Sequence, residues 1–250
     1  MAIFAIHAQA YRAFTSGAPG YDAVLGARGS PLQLVLNCVF HLETSPGNIP
    51  WSLYQSLQNN PSVRRAVPLA MGDNYHGFRI VGTTPEFFSD PPADGLKPRV
   101  KPGGRFFDGL RKEAIVGSFA AQQTGLKPGS RLHPYHGLAF DPSAQHAEEY
   151  LVVGVLQATN TPIDRVIWIP LEGVLRMEGH VLRATGKEYP PQAGQAIPAE
   201  HKELSGVLLE LSSPQAGFQL DQLINRQGKV ATLAFPIGSI VAQVFHKMGW

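Results

Sequence analysis

A single cysteine, Cys38, in 250 residues rules out an intrachain disulfide, a CxxC metal knuckle and a redox pair. Its flanks, Leu36-Asn37-Cys38-Val39-Phe40, are apolar, so a buried, inert thiol is expected rather than a nucleophile. Charge is scarce too: charged residues make up 16% against 44% hydrophobic, which excludes disorder of the whole chain. The 21 Lys and Arg nearly cancel the 19 Asp and Glu, the net charge is +2, and no long basic run occurs, so nucleic acid is not an expected partner. No apolar run reaches the roughly 18 residues that cross a bilayer, and Met1 is not followed by a signal-peptide pattern, so the sequence as given reads as soluble. Cysteine poverty does not choose between cytoplasm and a disulfide-free extracytoplasmic setting. The signatures of common enzymes are missing as well: there is no G-x-S-x-G elbow, Walker A loop, H-E-x-x-H helix, Asp-rich calcium loop or Rossmann fingerprint. The pair Glu148-Glu149 is adjacent in sequence, so a strand would point the two to opposite faces, which argues against an acid/base dyad.

What the chain has in quantity is glycine (26) and proline (21), which predicts many turns and short elements. Apolar spacing predicts helices over Ile3–Phe14 and Ser239–Trp250, each abrupt enough to read as one end of a longer helix. Between them, strands are expected at Tyr21–Leu25, Val63–Met71, Gly77–Thr83, Glu113–Gly117, Tyr150–Leu156, Arg165–Ile169, Gly206–Leu211 and Val230–Phe235. Val63–Met71 and Gly77–Thr83 read as a hairpin turning at Asp73-Asn74-Tyr75-His76. Helical segments are expected at Ser52–Gln58, Ser118–Thr124, Leu171–Met177 and Phe218–Asn225, the last completing a βαβ unit with the strands around it. The Pro- and Gly-rich stretches Asp90–Gly104 and Lys187–Pro198 are candidate boundaries.

Histidine is the one local concentration of chemistry-bearing side chains: His133 and His136 in His-Pro-Tyr-His, then His146, with Asp141 between and His180 beyond. Zinc takes three or four His, Cys or carboxylate ligands converging tetrahedrally, and a loop can present two imidazoles to one ion. His136, His146 and His180 are therefore the candidate metal ligands, expected to meet near the tip of the strand-rich middle if Tyr150–Leu156 and Arg165–Ile169 are neighbouring strands. Pro134 removes the helical geometry that would make the spacing diagnostic, so three solvated histidines are the alternative reading.

One set of residues says more than spacing. Gly77-Phe78-Arg79-Ile80-Val81-Gly82-Thr83-Thr84-Pro85-Glu86-Phe87-Phe88, then Ala114-Ile115-Val116-Gly117-Ser118 and Thr124-Gly125-Leu126-Lys127-Pro128-Gly129-Ser130, resemble in order and spacing the MacB-like periplasmic core domain of FtsX-like ABC transporter permeases. Tyr150–Leu156, Thr161-Pro162-Ile163-Asp164-Arg165 and Ile169-Pro170-Leu171-Glu172 extend the resemblance, and Asp22–Leu34 is similar to one branch of these permeases. Asn160 stands where a glycine is commoner, and Ser130 where the turn usually has an acid.

The resemblance implies an α+β fold in two lobes: a split βαβ-type lobe formed by both chain ends (1–92 and 199–250) and an inserted mostly-β lobe (93–198). It implies an extracytoplasmic, non-catalytic domain of an inner-membrane permease subunit that couples cytoplasmic ATP hydrolysis to a periplasmic partner or cargo. Expected partners are a cytoplasmic ABC ATPase subunit reached through transmembrane helices, a periplasmic protein or lipoprotein, and a second permease copy. No cofactor is implied, zinc at the three histidines apart. The competing readings are a stand-alone zinc-binding protein or zinc-dependent hydrolase, and a soluble ligand-binding module with a large apolar pocket.

Overall fold

The computed structural model describes residues 20–92, 95–177, 180–183, 186–192 and 195–247, with side chains described as far as residue 243. The helix expected over Ile3–Phe14 lies outside them. Among the described residues no helix is long and apolar enough to cross a membrane.

Among the described residues there are twelve strands: β1 (Ala23–Ala27), β2 (Ile49–Pro50), β3 (Val63–Tyr75), β4 (Phe78–Thr83), β5 (Glu113–Val116), β6 (Arg131–Leu132), β7 (Tyr135–His136), β8 (Tyr150–Val155), β9 (Ile167–Pro170), β10 (Glu203–Leu204), β11 (Gly206–Leu211) and β12 (Ala231–Ala234). Ten of them form one sheet in the order β12-β1-β11-β3-β4-β9-β5-β8-β6, with β7 paired to β3; β2 and β10 pair separately. β11 and β12 both run antiparallel to β1 and so parallel to each other, joined by the helix Pro214–Asp221: this is a split βαβ unit with β1 between its strands.

β1, β5, β9, β11 and β12 are buried along their whole length, which requires cover on both faces of the sheet. Successive side chains on a strand point to opposite faces, and the core divides accordingly. Leu25, Val207, Ile80, Ile167, Val116 and Val152 join one cluster with the helices Trp51–Gln58, Leu171–Leu175 and Pro214–Asp221 through Tyr54, Val174 and Leu220. Val24, Leu208, Val67, Val81, Trp168 and Ile115 join the other with the helices Pro31–Cys38 and Ile237–Lys247 through Leu34 and Val241. Trp168 anchors that second face, stacked on Phe87 at 4.7 Å and edge-on to Phe88 at 5.7 Å.

β3 joins the two halves of the sheet. Six of its first seven residues, all but Arg64, pair with β11, and Ala70, Met71 and Asp73 to Tyr75 pair with β4, with Asp73 and Asn74 also paired to β7. β4 runs parallel to β9, Ile80 opposite Ile167, so the hydrogen-bonded sheet continues without a break from the terminal strands into the middle of the chain.

Elements depart from expectation where a turn tightens or a strand bulges. β3 runs on to Tyr75 instead of stopping at Met71, and the helix expected at Phe218–Asn225 starts at Pro214, where the Ser213 hydroxyl caps it by accepting from Ala216 N. Asn160, in a position where glycine was the commoner residue, sits in the left-handed region at φ 56°, which Asn tolerates better than most side chains. The loop around it is gathered by Asp164, which accepts from the N–H groups of Thr159 and Asn160.

Candidate metal centre

The hairpin of β3 and β4 contains one irregularity. Met71 lies opposite Val81, yet Asp73 lies opposite Ile80, so Gly72 is an extra residue in β3, a β-bulge. Without it, alternation would send Asp73 to the face occupied by Met71 and Val81. With it, Asp73 shares the face of Ile80 and of the helix Leu171–Leu175. The carboxylate is fully buried there.

Three histidines reach it. β7 pairs with β3 so that His136 stands directly opposite Asp73, its Nδ1 3.5 Å from Asp73 Oδ1. The buried His146 brings Nε2 to 3.0 Å from the same oxygen, and its backbone N–H is tied to Pro134 O at 2.8 Å. His180, in the turn after the helix Leu171–Leu175, brings Nε2 to 3.2 Å. The ring centroids lie 5.2–5.6 Å apart, with planes tilted 68–82° to one another, as three groups arranged around a point rather than a stack. No two of the four prospective ligand atoms lie more than 4.8 Å apart.

Neighbouring groups hold the site in shape. Asn74, fully buried, donates to Gly137 O at 2.9 Å and Ala139 O at 3.1 Å, fixing the turn that carries His136, while its Oδ1 accepts from Gly77 N. Gly137 takes φ 84°, which glycine alone adopts freely. His180 Nδ1 lies 2.9 Å from the carbonyl of Val174; since a carbonyl only accepts, Nδ1 carries the hydrogen, and Nε2 is the atom turned toward Asp73.

Burial works to raise the Asp73 pKa, but the hydrogen bonds to His146 and His180 outweigh it and hold the carboxylate below its usual range. For His180, burial works to lower the pKa, and the hydrogen bond to Asp73 and that carboxylate's charge raise it on balance. The Asp73 charge is thus stable inside the protein because cationic or proton-bearing groups face it. Among the described residues Asp73 Oδ2 has no hydrogen-bond partner.

The structure therefore brings His136, His146 and His180 together, although not by the expected route. β8 and β9 are not neighbours, because β5 lies between them. His180 arrives because the helix Leu171–Leu175 packs across β3 and β4. His133 stands apart, its Nδ1 3.1 Å from Glu148 O, and the exposed Asp141 caps the short helix Pro142–Ala144 by accepting from Ser143 N. Asp73 is not among the ligands that the sequence pattern suggests, because that pattern places it in the hairpin turn. The signal that could have found it is the polar pair Asp73-Asn74 following glycine at the end of an apolar strand. Elsewhere Cys38 is the buried thiol expected, with burial pushing its pKa up to about 12.

A family model described as the MacB-like periplasmic core domain matches residues 1–200. No curated protein matches the chain. Among solved structures, the periplasmic region of MacB from Actinobacillus actinomycetemcomitans is similar with a TM-score of 0.51 at 13% identity, covering 92% of this chain and 94% of that one. The extracellular domain of the noncanonic ABC-type transporter YknZ from Gram-positive bacteria gives a TM-score of 0.46 at 16% identity, covering 85% of this chain and 99% of that one. At 13% identity the likeness to MacB is one of fold, the mixed α+β sheet described above. The family match spans most of the chain, from the first residue through β9 and the histidine cluster to the residues just before β10. This chain belongs to the family of MacB-like periplasmic core domains.

Proposed function

We propose that this chain is the extracytoplasmic domain of an ABC transporter permease subunit, itself non-catalytic, which couples cytoplasmic ATP hydrolysis to a periplasmic partner or cargo. The observation that carries the reading is the family match over residues 1–200. The architecture is compatible with it. A sheet covered on both faces and continuous across ten strands transmits a displacement as a stiff body, since close-packed interiors deform little. Asp22 O accepts from Ile237 N at 3.1 Å, and β1 pairs with β12, so the start of the first described strand and the start of the last helix lie side by side. That arrangement suits a domain inserted between two membrane segments. In this reading the ATPase is reached through transmembrane helices of the same permease, which acts as a dimer, and the domain's own surface receives a periplasmic protein or lipoprotein.

Leu110 is 97% exposed and Cys38 is buried, which gives a clean topological test. In cells carrying the natural full-length gene with Leu110→Cys, a membrane-impermeant maleimide should label the protein without lysis. Labelling that requires lysis would overturn the extracytoplasmic placement.

A further inference from the structure

We propose that Asp73, His136, His146 and His180 bind one zinc ion as a closed site with four protein ligands. Nothing in this inference depends on the chain being part of a permease.

The donor set is the first ground. Three imidazole nitrogens and one carboxylate oxygen form a borderline N/O set of the kind zinc takes in tetrahedral sites. Scale is the second. Metal–ligand bonds of about 2.0–2.1 Å place neighbouring ligand atoms of a tetrahedron about 3.3 Å apart. The three distances from Asp73 Oδ1 to the ring nitrogens are 3.0, 3.2 and 3.5 Å. Wider edges, up to 4.8 Å, close with a rotation of the rings, and His136, with its side chain 57% exposed, has room for one.

The third ground is the outer hydrogen bond. A metal-binding histidine characteristically donates its other ring N–H to a carbonyl or carboxylate, which fixes the tautomer. His180 does so to Val174 O, leaving Nε2 aimed at the cluster. In a neutral His180 that nitrogen bears a lone pair, and it would face a carboxylate oxygen 3.2 Å away, a contact that repels unless a proton or a cation lies between. One protonated imidazole would balance one carboxylate. Three imidazoles converging on a single oxygen, with the other oxygen unpartnered, are more than a charge pair requires.

The fourth ground is the support around the ligands. Gly72 as bulge, the buried Asn74 and the β7 pairing position two of the four groups from within the sheet. With four protein ligands no coordination position remains for a substrate or an activated water, which is the arrangement of structural rather than hydrolytic zinc. The ion would tie three segments together: the end of β3, the excursion that carries His136 and His146, and the turn after the helix Leu171–Leu175, whose His180 is 107 positions from Asp73.

The test titrates zinc chloride into the purified chain by calorimetry, with metal content measured after dialysis and cobalt(II) as an optical probe. The expected result is one zinc per chain and the intense visible absorption of four-coordinate cobalt. His136→Ala, at the exposed rim, and His146→Ala should each weaken binding about 100-fold or more and abolish that absorption. His133→Ala, outside the cluster, should leave both unchanged, and circular dichroism confirms that each variant is folded. Absence of zinc from the wild type, or equal affinity in His136→Ala and His133→Ala, would reduce the cluster to a hydrogen-bonded charge pair and overturn the proposal. A weak, six-coordinate cobalt spectrum would overturn the closed site.

Discussion

The two ends of β3 each meet a buried carboxylate and satisfy it with different chemistry. Near the start, Glu210 of β11 gives one oxygen to Arg64 at 3.1 Å and the other to Arg65 at 2.6 Å. Near the end, Asp73 offers a single oxygen to three histidines and leaves the second unpartnered. Guanidinium is always charged and has no lone pair for a metal, so the Glu210 cluster can only be an ion pair. Imidazole can give up its proton and donate the electron pair it held, so the Asp73 cluster can exchange protons for an ion. The strand therefore carries an electrostatic clamp at one end and a ligand set at the other.

The largest effect that separates them is expected from Glu210→Gln. Arg65 is largely covered and would retain its bond to the exposed Asp90, so the variant should lose about 1–3 kcal/mol of stability, read from denaturant midpoints. The loss should be the same with and without zinc. A zinc-dependent loss would mean that the two ends of β3 are one coupled unit.

A second contrast sharpens the role of the neighbour. His41 packs edge-on to Trp168 at 5.6 Å, and burial first, then the charge of Arg79, bring its pKa down to about 3, whereas Asp73 raises that of His180. The sign follows from which state holds the proton. Between that value and the unfolded one near 6.5, the unfolded chain binds more protons, so His41's contribution is complete above about pH 6.5 and is lost as pH falls. His41→Asn does not titrate there and tolerates the positive φ of 56°. Stability measured across about pH 4–6 should therefore fall less steeply on acidification in the variant, by up to about 1.4 kcal/mol per pH unit. Parallel curves would show that the fold does not hold His41 in its neutral form.

How much of this was legible in the sequence depends on what each feature needed. The hairpin and the βαβ unit were readable because alternation and β-branched runs act locally: Tyr150–Leu156 and Gly206–Leu211 fall on β8 and β11 within a residue. The candidacy of His136, His146 and His180 was readable from their crowding. The fourth group was not, because Asp73 owes its position to one extra residue. A bulge at Gly72 changes which face a strand presents without changing the pattern that announces the strand. Strand order was equally hidden. β5 separates β8 from β9 through long-range pairing that no local period encodes, and His180 reaches the site over a helix rather than across a strand pair.

The contrast between the ends of β3 is tested most directly by thermal unfolding of the wild type and His136→Ala, each with EDTA and then with zinc. An ion that binds the folded chain at about 100 times its Kd adds about 2.7 kcal/mol, or roughly 5–10 °C for a chain of this size. The account predicts that rise in the wild type and little in His136→Ala. No rise in the wild type, or the same rise in both, would contradict it.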